Sequence, residues 1–134
     1  MASFLPKHLF MELLLKEEVY FIVGACIEIR KTLGYGFSEV VYKDAMEVEF
    51  IENEIPYIRE AELPVYYKST ILRHKFMSDF YLFDRIIVEV KSCDEGINDR
   101  AISQTLNYLK ASGCRIGLII NFGKFKMEYK RLIM

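Results

Sequence analysis

The sequence predicts an α/β sandwich: a mixed central β-sheet with helices packed on it. Three observations carry this. Helical periodicity fills the early part of the chain. Short β-branched and aromatic segments follow. A further helical stretch then precedes two more strands, the first almost wholly apolar.

From about Glu12 to Thr32, Val19, Ile22, Val23, Cys26 and Ile27 follow helical spacing, and Leu33 continues the series. Gly34-Tyr35-Gly36 ends that helix and turns the chain. Ser38 is placed to cap a second helix running to about Asn53, with Val41, Ala45, Val48 and Phe50 inward and an acidic outer side. Tyr57 to Glu62, Val65 to Lys68 and Ile71 to Lys75 read as short strands punctuated by Pro64 and Lys68-Ser69-Thr70. Phe76 to Phe83 and Ile86 to Lys91 read as stronger strands joined at Asp84-Arg85. Asp94 to Ala111 reads as a helix with Ile97, Ala101, Leu106 and Leu109 inward, stopped by Gly113. Ile116 to Asn121 has the continuous apolar character of a strand buried on both faces. Phe125 to Ile133, with alternating charges, reads as a strand near an edge.

The 134 residues suffice for one domain with one substantial core, taken as residues 1–134. A net charge of -1 provides no global attraction to nucleic acid, so local charge decides. Glu39 to Glu62 is strongly acidic, whereas Lys110 to Arg131 is basic. The plain reading of this asymmetry is two solvated faces of opposite sign. Cys26, Cys93 and Cys114 are odd in number and far apart, which supports neither a disulfide framework nor a zinc site. Cys26 and Cys114 read as small core residues, and Cys93 follows a charged strand. Residues 1–15 carry Lys7, His8 and Glu12 and do not read as a secretory signal. No segment approaches a membrane span, and the expected location is cytoplasmic.

The chemistry concentrates at Asp79 and Glu89-Val90-Lys91. Glu89 and Lys91 are two residues apart and share a strand face. Charges on an otherwise apolar strand are costly unless a metal, partner or substrate compensates them. Whether Asp79 joins them depends on register. A two-residue turn at Asp84-Arg85 sets Asp79 opposite Val90 and faces it away from Glu89, whereas a three-residue loop or a bulge brings the two acids together. Converging carboxylates repel unless a divalent cation lies between them, and magnesium or manganese suits such hard oxygen donors. Lys91 could then stabilise charge developing on a phosphate. Against this stands a simple surface pairing of Glu89 and Lys91 with opposite charges. Gln104 and Tyr108 share one helix face and could bind a phosphate or support Lys91. Equally, they read as a surface amide and a core-edge ring. Glu39, in the first turn of its helix, fits either a site acid or a cap-region residue; Tyr42 lies on a similar face. His8 and His74 have no ligand spacing, and there is no glycine-rich phosphate loop.

Gly36-Phe37-Ser38-Glu39-Val40-Val41-Tyr42 resembles the signature of the GxxExxY protein family. The likeness continues through Leu63-Pro64-Val65-Tyr66-Tyr67, Asp79, Glu89-Val90-Lys91, Gln104, Leu106-Asn107-Tyr108-Leu109-Lys110 and Leu118-Ile119-Ile120-Asn121-Phe122-Gly123. That family is placed in the PD-(D/E)XK nuclease-like superfamily. The resemblance implies a restriction-endonuclease-like core, a mixed central β-sheet flanked by helices in the order α-β-β-β-α-β. It also implies that Asp79 and Glu89 are metal-binding acids, Lys91 the catalytic lysine, Glu39 a helix acid of the site, and Gln104 a helix residue facing it. The proline of the superfamily name is absent here, because Ser78 precedes Asp79.

The leading expectation is a magnesium-dependent (or manganese-dependent) nuclease acting on DNA. A minimal domain without an obvious basic stripe needs help with grip, from a homodimer joining two Lys124-to-Arg131 edges or from a separate DNA-binding partner. The alternatives are a non-catalytic nuclease-fold domain that binds a partner or regulates, and a structural homodimer built on an aromatic surface such as Tyr66 and Tyr67.

Overall fold

A computed structural model describes Pro6 and residues 15–134. His8 and the start of the first predicted helix lie outside the described residues. Helices α1 (Lys16–Leu33) and α2 (Glu39–Glu52) precede strands β1 (Tyr57–Tyr67), β2 (Thr70–Leu82) and β3 (Ile86–Lys91); α3 (Asp99–Ser112), β4 (Ile116–Phe122) and β5 (Met127–Ile133) follow. The five strands form one sheet in chain order. Only β3 and β4 run parallel; every other neighbouring pair is antiparallel. The fold is therefore α/β, a mixed central sheet flanked by helices, consistent with a restriction-endonuclease-like core.

Side-chain alternation sorts the sheet into two faces. Ile86, Val88 and Val90 pack with α1 and α2 in one core, joined by Phe80, Leu118 and Ile120. Ile87, Ile119 and Leu132 pack against α3 in the other. β4 is buried along its whole length, as its continuous apolar run requires. Gly117 on β4 lets α3 approach closely: a Cβ there would lie 2.8 Å from Thr105 Cγ2. Asn98 caps α3, its side chain accepting the Ala101 N–H at 2.9 Å.

Several local expectations need correction. The inner face of α2 is partly turned from the expected one: Phe50 is buried as expected, but beside Tyr42, Lys43 and Met46, while Val48 is exposed. Ser38 takes the N-cap position but makes no side-chain cap bond. Pro64 does not end a strand. β1 is an edge strand, so the missing N–H is tolerated beside a register shift between Pro64 and Tyr66. Ile71 to Lys75 and Phe76 to Leu82 form one strand, and only the turn at Lys68-Ser69 interrupts the hairpin. α3 begins at Asp99 rather than Asp94, leaving Ile97 in the preceding loop, and β5 begins at Met127 rather than Phe125. No helix among the described residues is long and apolar enough to cross a membrane.

Candidate active site

The hairpin between β2 and β3 sets the register on which the site depends. Leu82 pairs with Ile86, Tyr81 with Ile87 and Phe80 with Val88, so the loop is the three residues Phe83, Asp84 and Arg85. Phe83 and Asp84 both take left-handed backbone angles to make it. Continued one step, this register sets Asp79 opposite Glu89. The two-residue turn, which would have faced Asp79 away, is not formed.

At the acid pair the backbone ladder gives way to carboxylates. Glu89 Oε2 accepts the Asp79 N–H at 2.7 Å, and Asp79 Oδ2 accepts the Val90 N–H at 2.7 Å. Each acid thus holds a main-chain donor on or beside the other's strand. Beyond this point β2 leaves β3 and pairs with β1 alone, forming a two-stranded arm out to Tyr67 and Thr70.

Glu89 is 4% exposed. Burial and the neighbouring Asp79 charge push its carboxyl up to about 8, against the opposing pull of the Asp79 N–H, Lys91 and Lys43. Asp79 Oδ1 accepts a hydrogen bond from Lys43 Nζ at 2.9 Å, and Lys43 also pairs with Glu60. Lys43 is the buried cation that the sequence reading passed over as one charge on an acidic helix. The two acids' hold on it raises its pKa although burial opposes this. Periodicity could have flagged it, because Lys43 follows Tyr42 on the face shared with Met46 and Phe50.

Lys91 ends β3 on the face of Glu89, and its Nζ lies 3.5 Å from Gln104 Oε1 on α3. Gln104 also hydrogen-bonds Tyr108 one turn on. Tyr108 is buried, with its ring 5.2 Å from that of Phe76. Burial first, and then the charges of Glu89 and Asp79, raise the pKa of the Tyr108 hydroxyl. Glu39 is exposed at the start of α2 and lines a cleft with Lys91 and Gln104. Tyr42 is fully buried, stacked on Phe122 with centroids 4.3 Å apart, and its hydroxyl donates to Gly34 O at 2.7 Å. Tyr42 therefore anchors the glycine turn that leads into α2 and does not enter the cleft.

Asn121 is a second buried group the sequence reading did not single out. At the end of β4 its Oδ1 accepts the Cys93 N–H at 2.8 Å and its Nδ2 donates to Cys93 O at 2.9 Å. This fixes the loop that leaves β3 just after Lys91. Cys26, Cys93 and Cys114 are free thiols, and burial raises the pKa of Cys26.

The donor chemistry at Asp79 and Glu89 fits a hard divalent cation. Two carboxylates meet, and Glu89 is disfavoured as an anion without a compensating charge. Among the described residues, however, no three His, Cys, Asp or Glu side chains converge as a preformed metal cluster, so Glu39 is not gathered in with the pair. Lys43 meets part of the demand for positive charge.

Residues 16–132 match the family model of the PD-(D/E)XK nuclease superfamily. The crystal structure of SSO0001 shares the fold, with a TM-score of 0.55 over 71% of this chain at 14% identity. The aligned region is half of that structure's chain, so the chain spans only part of its length. No curated protein matches the sequence.

Proposed function

The chain belongs to the PD-(D/E)XK nuclease superfamily, and from that premise we propose that it is a magnesium- or manganese-dependent nuclease that hydrolyses phosphodiester bonds in DNA in the cytoplasm. The observation that carries the reading is the convergence of Asp79 and Glu89, whose carboxylates accept the Val90 and Asp79 N–H groups respectively at 2.7 Å, with Lys91 on the strand face of Glu89. The finer assignment to the GxxExxY family rests on Gly36, Glu39 and Tyr42 in their spacing.

Asp79 and Glu89 would hold the cation, while Glu39 lines the neighbouring cleft with Lys91 and is not gathered in with them. When bound, such a cation polarises a phosphate oxygen and acidifies an attacking water. Lys91 places an ammonium beside the phosphate to offset charge developing in the transition state. Gln104 orients Lys91 through the 3.5 Å contact, and Tyr108 orients Gln104 in turn. The burial that makes Glu89 costly as an anion also strengthens every charge interaction at this place.

The second reading is a non-catalytic partner-binding or regulatory domain. The observation favouring it is Lys43, which already neutralises Asp79 from within the protein. Cleavage of labelled single-stranded and duplex DNA, with and without Mn2+, separates the two. Cation-dependent cleavage lost in Lys91→Ala supports the nuclease. No cation-dependent cleavage by wild type favours the regulatory domain; equal cleavage by wild type and variant removes Lys91 from the mechanism.

A further inference from the structure

Two clefts flank α3 and share Arg100 and Gln104. The first, of about 280 Å3, holds Lys91 and Glu39. The second, of about 510 Å3, lies between α3 and the β1–β2 arm. Its charged and basic side chains are His74, Lys75 and Arg100, and no carboxylate lines it. Arg100 forms no ion pair among the described residues. Lys75 meets Glu62 only at 3.5 Å, between two well-exposed side chains, a contact of little worth in water. The wall carries the Phe76 and Tyr108 rings. On the arm beyond, Tyr66 and Tyr67 are 58% and 64% exposed.

Cations without carboxylates suit a chain of phosphates, and exposed rings suit unpaired bases, whose faces a duplex hides. Resting on the nuclease reading, we infer that this groove is the binding track for single-stranded nucleic acid. Lys75 and Arg100 hold backbone phosphates on one side of Lys91, and the arm supplies stacking surface. The grip lies on α3 and the arm, not on the basic Lys124-to-Arg131 edge expected from sequence.

The test is fluorescence anisotropy of a labelled single-stranded oligonucleotide, run in EDTA so that binding is read without cleavage. Lys75 and Arg100 are exposed, so their replacement leaves the fold intact. The double variant Lys75→Ala/Arg100→Ala is expected to bind at least tenfold more weakly. Losing two phosphate contacts should also flatten the slope of log K against log salt by about 1.4. Lys124→Ala/Lys130→Ala should bind as wild type does, and duplex should bind more weakly than single strand. Undiminished binding by the groove variant, tighter binding of duplex, or no binding by wild type overturns the inference. A parallel Mn2+ cleavage assay separates the two claims. Groove-dependent binding without cleavage removes the nuclease reading alone; cleavage and binding indifferent to Lys75 and Arg100 remove the groove alone.

Discussion

Lys43 Nζ lies 2.9 Å from Asp79 Oδ1, and so places a cation from α2 against the acid pair between β2 and β3. The ammonium also contacts Glu60, whose side chain is half exposed. Removing one partner of a buried pair leaves the other charge uncompensated. Partial exposure of both acids reduces that cost here, to about 1–2 kcal/mol. Lys43→Met should lower urea stability by that amount in EDTA, and saturating Mn2+ should recover a larger share of stability than it adds to wild type. A variant as stable as wild type would show the contact to be energetically idle.

Glu89 links the site to pH. Its folded-state carboxyl, at about 8, is raised above the ordinary 4.5, so the folded chain holds this proton more tightly than the unfolded chain does. The contribution to stability is full below the unfolded value and is lost as pH rises toward 8. Urea unfolding in EDTA should show this decline, and Glu89→Gln should flatten it. Cation binding needs the ionised carboxylate, so affinity should climb with pH up to about 8 and binding should release a proton below it. Calorimetry in buffers of different ionisation enthalpy measures that release.

The sheet register was legible in the sequence as a choice, not as an answer. The ten-residue separation of Asp79 and Glu89 requires a three-residue loop or a bulge if they are to meet, and Phe83-Asp84-Arg85 forms the loop. The apolar run of β4 and the stop at Gly113 were equally readable, because burial and left-handed backbone leave direct marks on residue type. The buried place of Lys43 could be read from its spacing to Met46 and Phe50, but its partners could not, because they lie 17 and 36 residues away and no local spacing connects them. The turned face of α2 has the same origin. Val48 fits an apolar stripe, but Tyr42 and Phe50 bury larger rings against Phe122 and Phe80. Pro64 read as a break because an edge strand with a register shift cannot be told from a strand end by composition.

Packing between β4 and α3 sets the height of Gln104 and Tyr108 above the sheet. A Cβ at Gly117 meets Thr105 Cγ2 at 2.8 Å and Leu109 at 3.3 Å, both well inside a filled core. Gly117→Ala should therefore cost about 1–3 kcal/mol of stability, read in a denaturant titration. It should also weaken cleavage more than it weakens binding of Mn2+, since α3 moves while the acid pair stays. Wild-type stability in the variant would contradict the close approach.

Lys91 separates chemistry from architecture. It stands at the end of β3, and its contact to Gln104 is long and near solvent. Lys91→Ala should keep the melting temperature within a degree or two and keep Mn2+ affinity, while cleavage falls about 100-fold or more. Unchanged cleavage would remove Lys91 from the mechanism.

The central claim is that Asp79 and Glu89 form a divalent-cation site. Calorimetric titration of Mg2+ and Mn2+ into wild type and Asp79→Asn tests it most directly. The account predicts saturable binding to wild type that Asp79→Asn abolishes. Absence of binding to wild type, or equal binding by both proteins, would contradict it.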